Sequence, residues 1–377
     1  MESLSSLSQT KRIVIKIGSA ILVDHTTGEL NRPWLDAMAK DIAALKRQNI
    51  DVVIVSSGAI ALGRALLSLS ATALSLPQKQ ACAATGQTVL TQAYARALNP
   101  FDIRTAQALL TLEDTEDRRR GLNARETLKT LLSLSIVPII NENDTVATDE
   151  IRYGDNDRLA ARTAQMIDAD TLILLSDIDG LYTADPRQNT SAKHLPIVEK
   201  LTPEIMAMGG GVNASAGVGS GGMATKLAAA EIATQAGCHM CIMNGEDTAP
   251  ISRLQNGAKA SWFLASDAPY NARRRWIQGA LDLKGTLTID AGAAKALSDG
   301  KSLLAAGVTH VSGHFEKGDA VSICGPNGNE LARGLISYSA KDTAAIKGLK
   351  SGDIENCLGY NNGAALIHRD NLASLKS

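Results

Sequence analysis

Five short apolar runs, Arg12 to Ile17, Asp51 to Ser56, Ile136 to Ile140, Thr171 to Ser176 and Cys238 to Met243, alternate with longer stretches whose apolar residues recur every three or four positions. Runs that are apolar on successive residues predict strands covered on both faces. The longer periodicity predicts helices over Trp34 to Gln48, Gln78 to Leu98, Leu122 to Leu132, Asp157 to Ile167 and Met223 to Ala236. Such alternation predicts an α/β fold, a mainly parallel sheet sandwiched between helices. In sheets of that kind the ligand crevice lies outside the carboxyl ends of the strands, so the residues just after each run carry the candidate chemistry.

The pattern changes near Ser266 to Arg275, where a polar stretch runs into three consecutive arginines. Beyond it, short strand candidates at Gly285 to Ile289, Ala320 to Cys324 and Glu330 to Ser337 are separated by Gly and Asp turns, which predicts a small β-rich domain with one or two helices. The expected boundaries are 1–267 for the larger domain, 268–276 for a linker and 277–370 for the smaller one.

Composition narrows the function classes. With 45% hydrophobic and 20% charged residues the 377-residue chain has enough apolar surface to fold, so global disorder is excluded. Aromatics are only 3%, so the core must come from Ala, Leu, Ile and Val. Thirty-eight basic against 39 acidic residues leave a net charge of -1, which excludes coating of nucleic acid or of an anionic membrane as the main task. No apolar run reaches the ~18 residues of a membrane span, and Met1 to Gln9 is polar, so a cytoplasmic location without membrane association is expected. Five cysteines, an odd number, argue against a disulfide framework. Cys238 and Cys241 form a C-x-x-C inside an apolar run, with no second Cys or His pair at metal spacing, and read as buried thiols.

The strand ends carry the chemistry. Lys16-Ile17-Gly18-Ser19 places a cation and a glycine where a phosphate could rest. Ser56-Ser57-Gly58-Ala59 opens a helix with hydroxyls and free N–H groups, a site for a carboxylate or an ordinary N-cap. Asn141-Glu142-Asn143-Asp144 and Gly154-Asp155-Asn156-Asp157 offer donors to a carboxylate and acceptors to an ammonium, though turns favour the same residues. Ser176-Asp177 closes the fourth run, and Gly180 to Pro186 continues as a loop with a tyrosine suited to a purine. Gly217 to Lys226 is a Gly run entering an Ala-rich helix, and its amides and lysine suit polyphosphate. It is not a Walker A loop, because Thr225 stands where that motif has Gly.

Taken in order, these six segments resemble the amino acid kinase family over nearly the whole chain. The tail, with Val311 to Phe315, Leu358-Gly359-Tyr360 and His368-Arg369-Asp370, resembles a PUA domain. The resemblance points to the branch that phosphorylates the γ-carboxylate of L-glutamate with ATP. It implies that Lys16 and Lys226 neutralise the transferring phosphoryl group and that Asp157 orients them. It implies that Ser57, Gly58, Asp144 and Asn156 bind glutamate, and that Lys16, Gly18, Ser176, Asp177 and Ser220, Gly221, Gly222, Met223, Ala224, Thr225 and Lys226 hold ATP. Mg²⁺ would be carried mainly by the phosphates, with no protein metal ligand. Feedback inhibition by proline, a homo-oligomer and a glutamyl phosphate reductase as pathway partner are further implications. The charged stretch Glu113 to Arg120 reads as a solvated helix face in preference to an assembly contact.

Other readings stay open at this point. A sibling kinase acting on aspartate, acetylglutamate, carbamate or a nucleoside monophosphate would share the glycine and lysine motifs, though not the paired Asx clusters with an appended β-rich domain. An RNA-binding protein is the alternative from another class, since PUA domains elsewhere bind structured RNA and Arg273 to Arg275 add charge. The tail lacks a dense basic face interleaved with aromatics, so RNA binding would be secondary. A ligand sensor with a degenerate kinase body is disfavoured by the presence of both lysines and Asp157.

Overall fold

The computed structural model describes residues 7–24, 27–69, 74–147, 156–209, 222–266, 268, 271–272, 277 and 283–375. The chain divides into two compact units, Met1–Glu116 with Ala124–Pro269, and Asp117–Asn123 with Tyr270–Ser377.

The first unit is built on an eight-stranded sheet. Its strands are β1 (Arg12–Ile17), β2 (Asp51–Ser56), β3 (Thr105–Leu110), β4 (Val137–Glu142), β5 (Thr171–Ser176), then, after the short hairpin of β6 (Leu181–Tyr182) and β7 (His194–Leu195), β8 (Ile197–Val198), β9 (His239–Asn244) and β10 (Ala260–Phe263). The spatial order is β3-β4-β2-β1-β5-β9-β10-β8. Every pairing from β3 to β9 is parallel, and β10 then runs antiparallel to β9. β4 and β9 each start one residue later than the apolar runs suggest, so Asn141 and Glu142 belong to β4 and Cys238 precedes β9. β3 escapes the apolar-run rule because it is an edge strand, only partly buried at most positions.

Alternation along β1 decides what each face meets. Ile13, Ile15 and Ile17 enter one core with the Arg32–Arg47 and Leu76–Leu98 helices. Val14 enters the other, with the Asn156–Met166 and Met223–Gln235 helices. Lys16 is in phase with Val14, so its side chain leaves the strand toward those two helices.

On the first face the Ala59–Leu66 and Leu76–Leu98 helices meet backbone to backbone. A Cβ on Gly63 would lie 1.8 Å from the carbonyl oxygen of Cys82, and one on Gly86 would lie 1.9 Å from that of Ala59. Gly86→Ala is therefore expected to force the helices apart at a cost of about 1–3 kcal/mol, read from the urea midpoint. An unchanged midpoint would show that the pair separates freely.

The second unit carries a five-stranded sheet in the order β12-β11-β13-β14-β15, with β11 (Gly285–Ile289), β12 (Val308–Gly313), β13 (Ala320–Cys324), β14 (Glu330–Leu335) and β15 (Leu372–Ser374). Helices Ala291–Ser298, Ala340–Ile346 and Ile354–Leu358 accompany it, and Leu287, Ile323, Ile336, Ile346 and Leu366 lie in its core. β12 is largely exposed and β15 spans three residues, too little apolar pattern to read beforehand. Among the described residues no helix is long and apolar enough to cross a membrane.

Candidate active site

The registers of the central strands set their carboxyl ends level. Ile17 pairs with Ser56 on one side and Leu175 on the other, and Val55 pairs with Ile140. Lys16, Ser56, Asn141 and Ser176 consequently share one sheet edge.

Two helices complete the charged centre. Asp157 stands in the first turn of the Asn156–Met166 helix, and Lys226 stands in the first turn of the Met223–Gln235 helix. Alanines three, four and seven residues on, Ala160, Ala161, Ala164 and Ala229, Ala230, Ala233, are buried in the same core and let the two helices lie close together. Lys16 Nζ is 2.6 Å from Asp157 Oδ1, and Lys226 Nζ is 3.1 Å from Oδ2. All three residues are at least nine-tenths buried. Thr225 Oγ1 donates to Asp157 Oδ2 at 3.3 Å. Burial alone pushes the Asp157 carboxyl up, but the two ammonium groups outweigh it through charge and hydrogen bonding and hold it down at about 2. Two cations 210 residues apart in sequence thus converge on one anion, leaving a net positive centre.

A second, polar group lies beside it, at the ends of β2 and β4 and the start of the Asn156–Met166 helix. Asn156 Nδ2 donates to Ser57 Oγ at 2.7 Å and to Asn141 Oδ1 at 2.9 Å. Gly58 has φ of +105°, a left-handed turn that suits glycine, and caps the Ala59–Leu66 helix. Asp144 follows β4 in a turn and is buried, with no hydrogen bond or ion pair among the described residues. Burial pushes its carboxyl up to about 6.

On the other side of Lys226 a cleft of about 520 Å³ is lined by Asp177, Asp179, Arg187, Met223, Lys226 and Asn244, among others. The Met223–Gln235 helix begins at this cleft, with Gly222 as its N-cap and both Gly222 and Met223 in the lining. A Cβ on Gly222 would meet nothing within 4 Å, and one on Gly18 would find only ordinary contacts at 3.6 Å or more. Among the described residues, packing therefore does not demand glycine at either place. Met223 and Ala224 continue that first turn, and Ser176 Oγ donates to Asp177 Oδ1 at 2.9 Å. Ser220 and Gly221 lie outside the described residues, as do the rest of the run from Gly217, Gly154-Asp155 and Arg273 to Arg275.

Tyr182 is engaged differently from the purine contact its loop suggests. Its hydroxyl donates to Asp179 Oδ1 at 2.8 Å and accepts from Lys259 Nζ at 2.6 Å, while its ring lies under Lys259 and edge-on to His194. Lys259 also pairs with Asp179 Oδ2 at 3.0 Å, which ties the cleft wall to β10. Sequence reasoning missed Asp179, Lys259 and Asn244, and also Gln87 and Tyr94, two polar residues on the long apolar helix. Tyr94 OH lies 2.9 Å from Ser56 Oγ, and Gln87 Oε1 accepts from Asn141 Nδ2 at 2.8 Å. Their seven-residue spacing on one helix face was the available signal. Cys238 and Cys241 are free and buried.

A parallel sheet with paired lysines at its carboxyl edge is the architecture of one class of small-molecule kinases, and the chain belongs to the amino acid kinase family, whose family model matches residues 11–244. A PUA domain model matches residues 285–358. Within that family, relatives more than half identical to it over nearly the whole chain are glutamate 5-kinases. The glutamate 5-kinase of Paramagnetospirillum magneticum is 54% identical over 369 residues, 98% of this chain and 99% of that protein. That of Rhizobium rhizogenes is 55% identical over 377 residues, 100% of this chain and 96% of that protein. Among solved structures, carbamate kinase from Giardia lamblia bound to AMP-PNP superposes with a TM-score of 0.48 at 19% identity, over 69% of this chain and 100% of that one.

Proposed function

We propose that the chain transfers the γ-phosphoryl group of ATP to the γ-carboxylate of L-glutamate, giving L-glutamyl 5-phosphate and ADP, the first step of proline biosynthesis from glutamate. The Lys16–Asp157–Lys226 bridge between a cleft and a polar pocket carries this reading, and the glutamate 5-kinase relatives fit it. The acceptor carboxylate, with an unperturbed pKa of ~4.3, is already ionised at neutral pH, so no general base is needed. The barrier is the approach of one anion to another. Lys16, Lys226 and the helix amides lower it by neutralising charge that builds on the transferring group. Asp157 holds the two ammonium groups at a fixed separation.

Ser57, Gly58, Asp144 and Asn156 form the glutamate pocket in this reading. Gly18, Ser176, Asp177 and Ser220 to Lys226 hold ATP. Both Asp157 oxygens already face ammonium groups. That donor set suits a Mg²⁺ ion carried on the phosphates, where it would screen their charge. Residues 1–267 are the catalytic domain, 268–276 the linker and 277–370 the PUA-like domain. The protein works in the cytoplasm as a homo-oligomer, is inhibited by proline, and hands its reactive product to glutamyl phosphate reductase.

Incubation with ATP, Mg²⁺ and candidate acceptors, with hydroxylamine to trap acyl phosphate, tests the proposal. A hydroxamate with glutamate and not with aspartate, acetylglutamate or carbamate is expected. Absence of any acceptor activity together with salt-sensitive retention of RNA would replace it with the binding reading.

The pocket also has a pH signature. Asp144 must be ionised to receive the substrate ammonium, and with its carboxyl at about 6 it gains a proton as pH falls through that value. The KM for glutamate should rise about fourfold from pH 7.5 to 5.5, where glutamate's own side chain is still ionised. Asp144→Asn should flatten that profile while raising KM throughout. A wild-type KM constant over this range would remove Asp144 from the pocket.

A further inference from the structure

A chain of amides runs beneath the polar pocket and ends on a helix that carries none of the strand-end motifs. Thr91 Oγ1 donates to the backbone oxygen of Gln87 at 2.9 Å, which leaves its lone pairs to accept from Gln87 Nε2 at 3.3 Å. Gln87 Oε1 then accepts from Asn141 Nδ2 at 2.8 Å. Asn141 Oδ1 accepts from the amide of Glu142 and from Asn156 Nδ2, both at 2.9 Å. A primary amide carries its oxygen on one edge and its NH₂ on the other, so fixing one amide fixes the next. Backbone groups favour one direction at each step: the Gln87 carbonyl can only accept, the Glu142 amide can only donate to Asn141 Oδ1, and the Ser56 carbonyl can only accept from Asn156 Nδ2, at 3.4 Å. At its end Asn156 turns its NH₂ toward Ser57 and Asn141, and its Oδ1, though buried, has no hydrogen-bond partner among the described residues.

We propose that Gln87 is a positioning residue: through Asn141, and together with the Glu142 amide and the Ser56 carbonyl, it holds the Asn156 amide so that its oxygen is the edge left for the ammonium group of the amino-acid acceptor. The inference rests on the reading of this pocket as the acceptor site. A reversed Asn156 would set N–H against N–H, repelling the amine while still tolerating a carboxylate. The relay therefore selects dicarboxylates that carry an α-ammonium over those that lack one.

Gln87→Met, which keeps length and volume and removes the acceptor, tests it. Its KM for glutamate is expected to rise about tenfold, the scale of one hydrogen-bonded contact. The kcat and the KM for ATP should stay within about twofold. Glutarate, which keeps both carboxylates and lacks the ammonium, should inhibit wild type and variant within about twofold of each other. Gln87→Glu, which retains an acceptor oxygen, should recover most of the glutamate affinity, and Thr91→Val should lose about twofold to threefold. A melting temperature close to wild type excludes a folding defect. An unchanged glutamate KM in Gln87→Met, or equal losses for glutamate, glutarate and ATP, overturns the relay. A wild type without glutamate-dependent ADP release would instead sink the functional reading. The relay is then judged by crystal structures at a resolution that separates amide nitrogen from oxygen: Asn141 and Asn156 turn in Gln87→Met if it holds, and keep their orientation if it does not.

Discussion

Lys226→Ala is expected to fold normally and to lose at least ~100-fold in kcat at saturating ATP and glutamate, the usual scale for one preorganised charge at a transition state. The fold should survive because Asp157 keeps Lys16 at 2.6 Å, so the buried carboxylate is not left without a cation. Turnover should suffer more than binding, because the ammonium is worth most when charge is spread over the transferring phosphoryl group. Lys226→Arg is not expected to restore activity, since a planar guanidinium does not fit a buried point contact at 3.1 Å. Rapid-quench measurement of ADP formation separates the chemical step from product release. A variant with near-normal turnover would remove Lys226 from the reaction.

Asp157→Asn should be as damaging to activity and should also alter stability. The side chain stays isosteric, but two buried ammonium groups then face each other without a counter-charge, and kcat should fall ~100-fold or more. In the wild type the Asp157 carboxyl is held at about 2, below the ~3.9 of an unfolded chain. The folded state therefore binds this proton less readily than the unfolded state. The resulting stabilisation, on the order of 2 kcal/mol, is complete above about pH 4 and is lost as pH falls toward 2. Urea unfolding of both proteins at pH 4.5 and 2.5 checks the sign: the wild type should lose more stability than Asp157→Asn across that interval. Equal losses would mean that the bridge contributes nothing to folding.

Much of this architecture was legible because a parallel sheet buried on both faces writes itself as uninterrupted apolar runs. β1, β2 and β5 have the expected bounds, and the helices between them follow the three-and-four spacing. Edges are less legible. β3 has one face partly open and mixes Thr, Ala, Gln and Leu, and β8 spans two residues, so neither produces a pattern.

The site divides along the same line. Residues that punctuate a strand end or open a helix, Lys16, Ser57, Asp144, Asn156, Asp157 and Ser176, stand out because polar chemistry interrupts an apolar rhythm. Local sequence could suggest that they are functional, but not that Lys16 and Lys226 reach the same carboxylate. That follows from the alternation of β1 and from two alanine-lined helices that converge in space. Gln87 and Tyr94 were hidden by the opposite effect, for each reads as one more polar residue on a long helix. Only the packing of that helix against β2 and β4 turns them inward.

Lys259 gathers the Asp179 carboxylate and the Tyr182 hydroxyl around one exposed amine. Acylating that amine would strip its positive charge and unfasten the stretch between β5 and β6 from the sheet margin, with Lys16, Asp157 and Lys226 unaltered. A small covalent tag outside the Lys16–Asp157–Lys226 centre would thereby loosen one wall of the cleft.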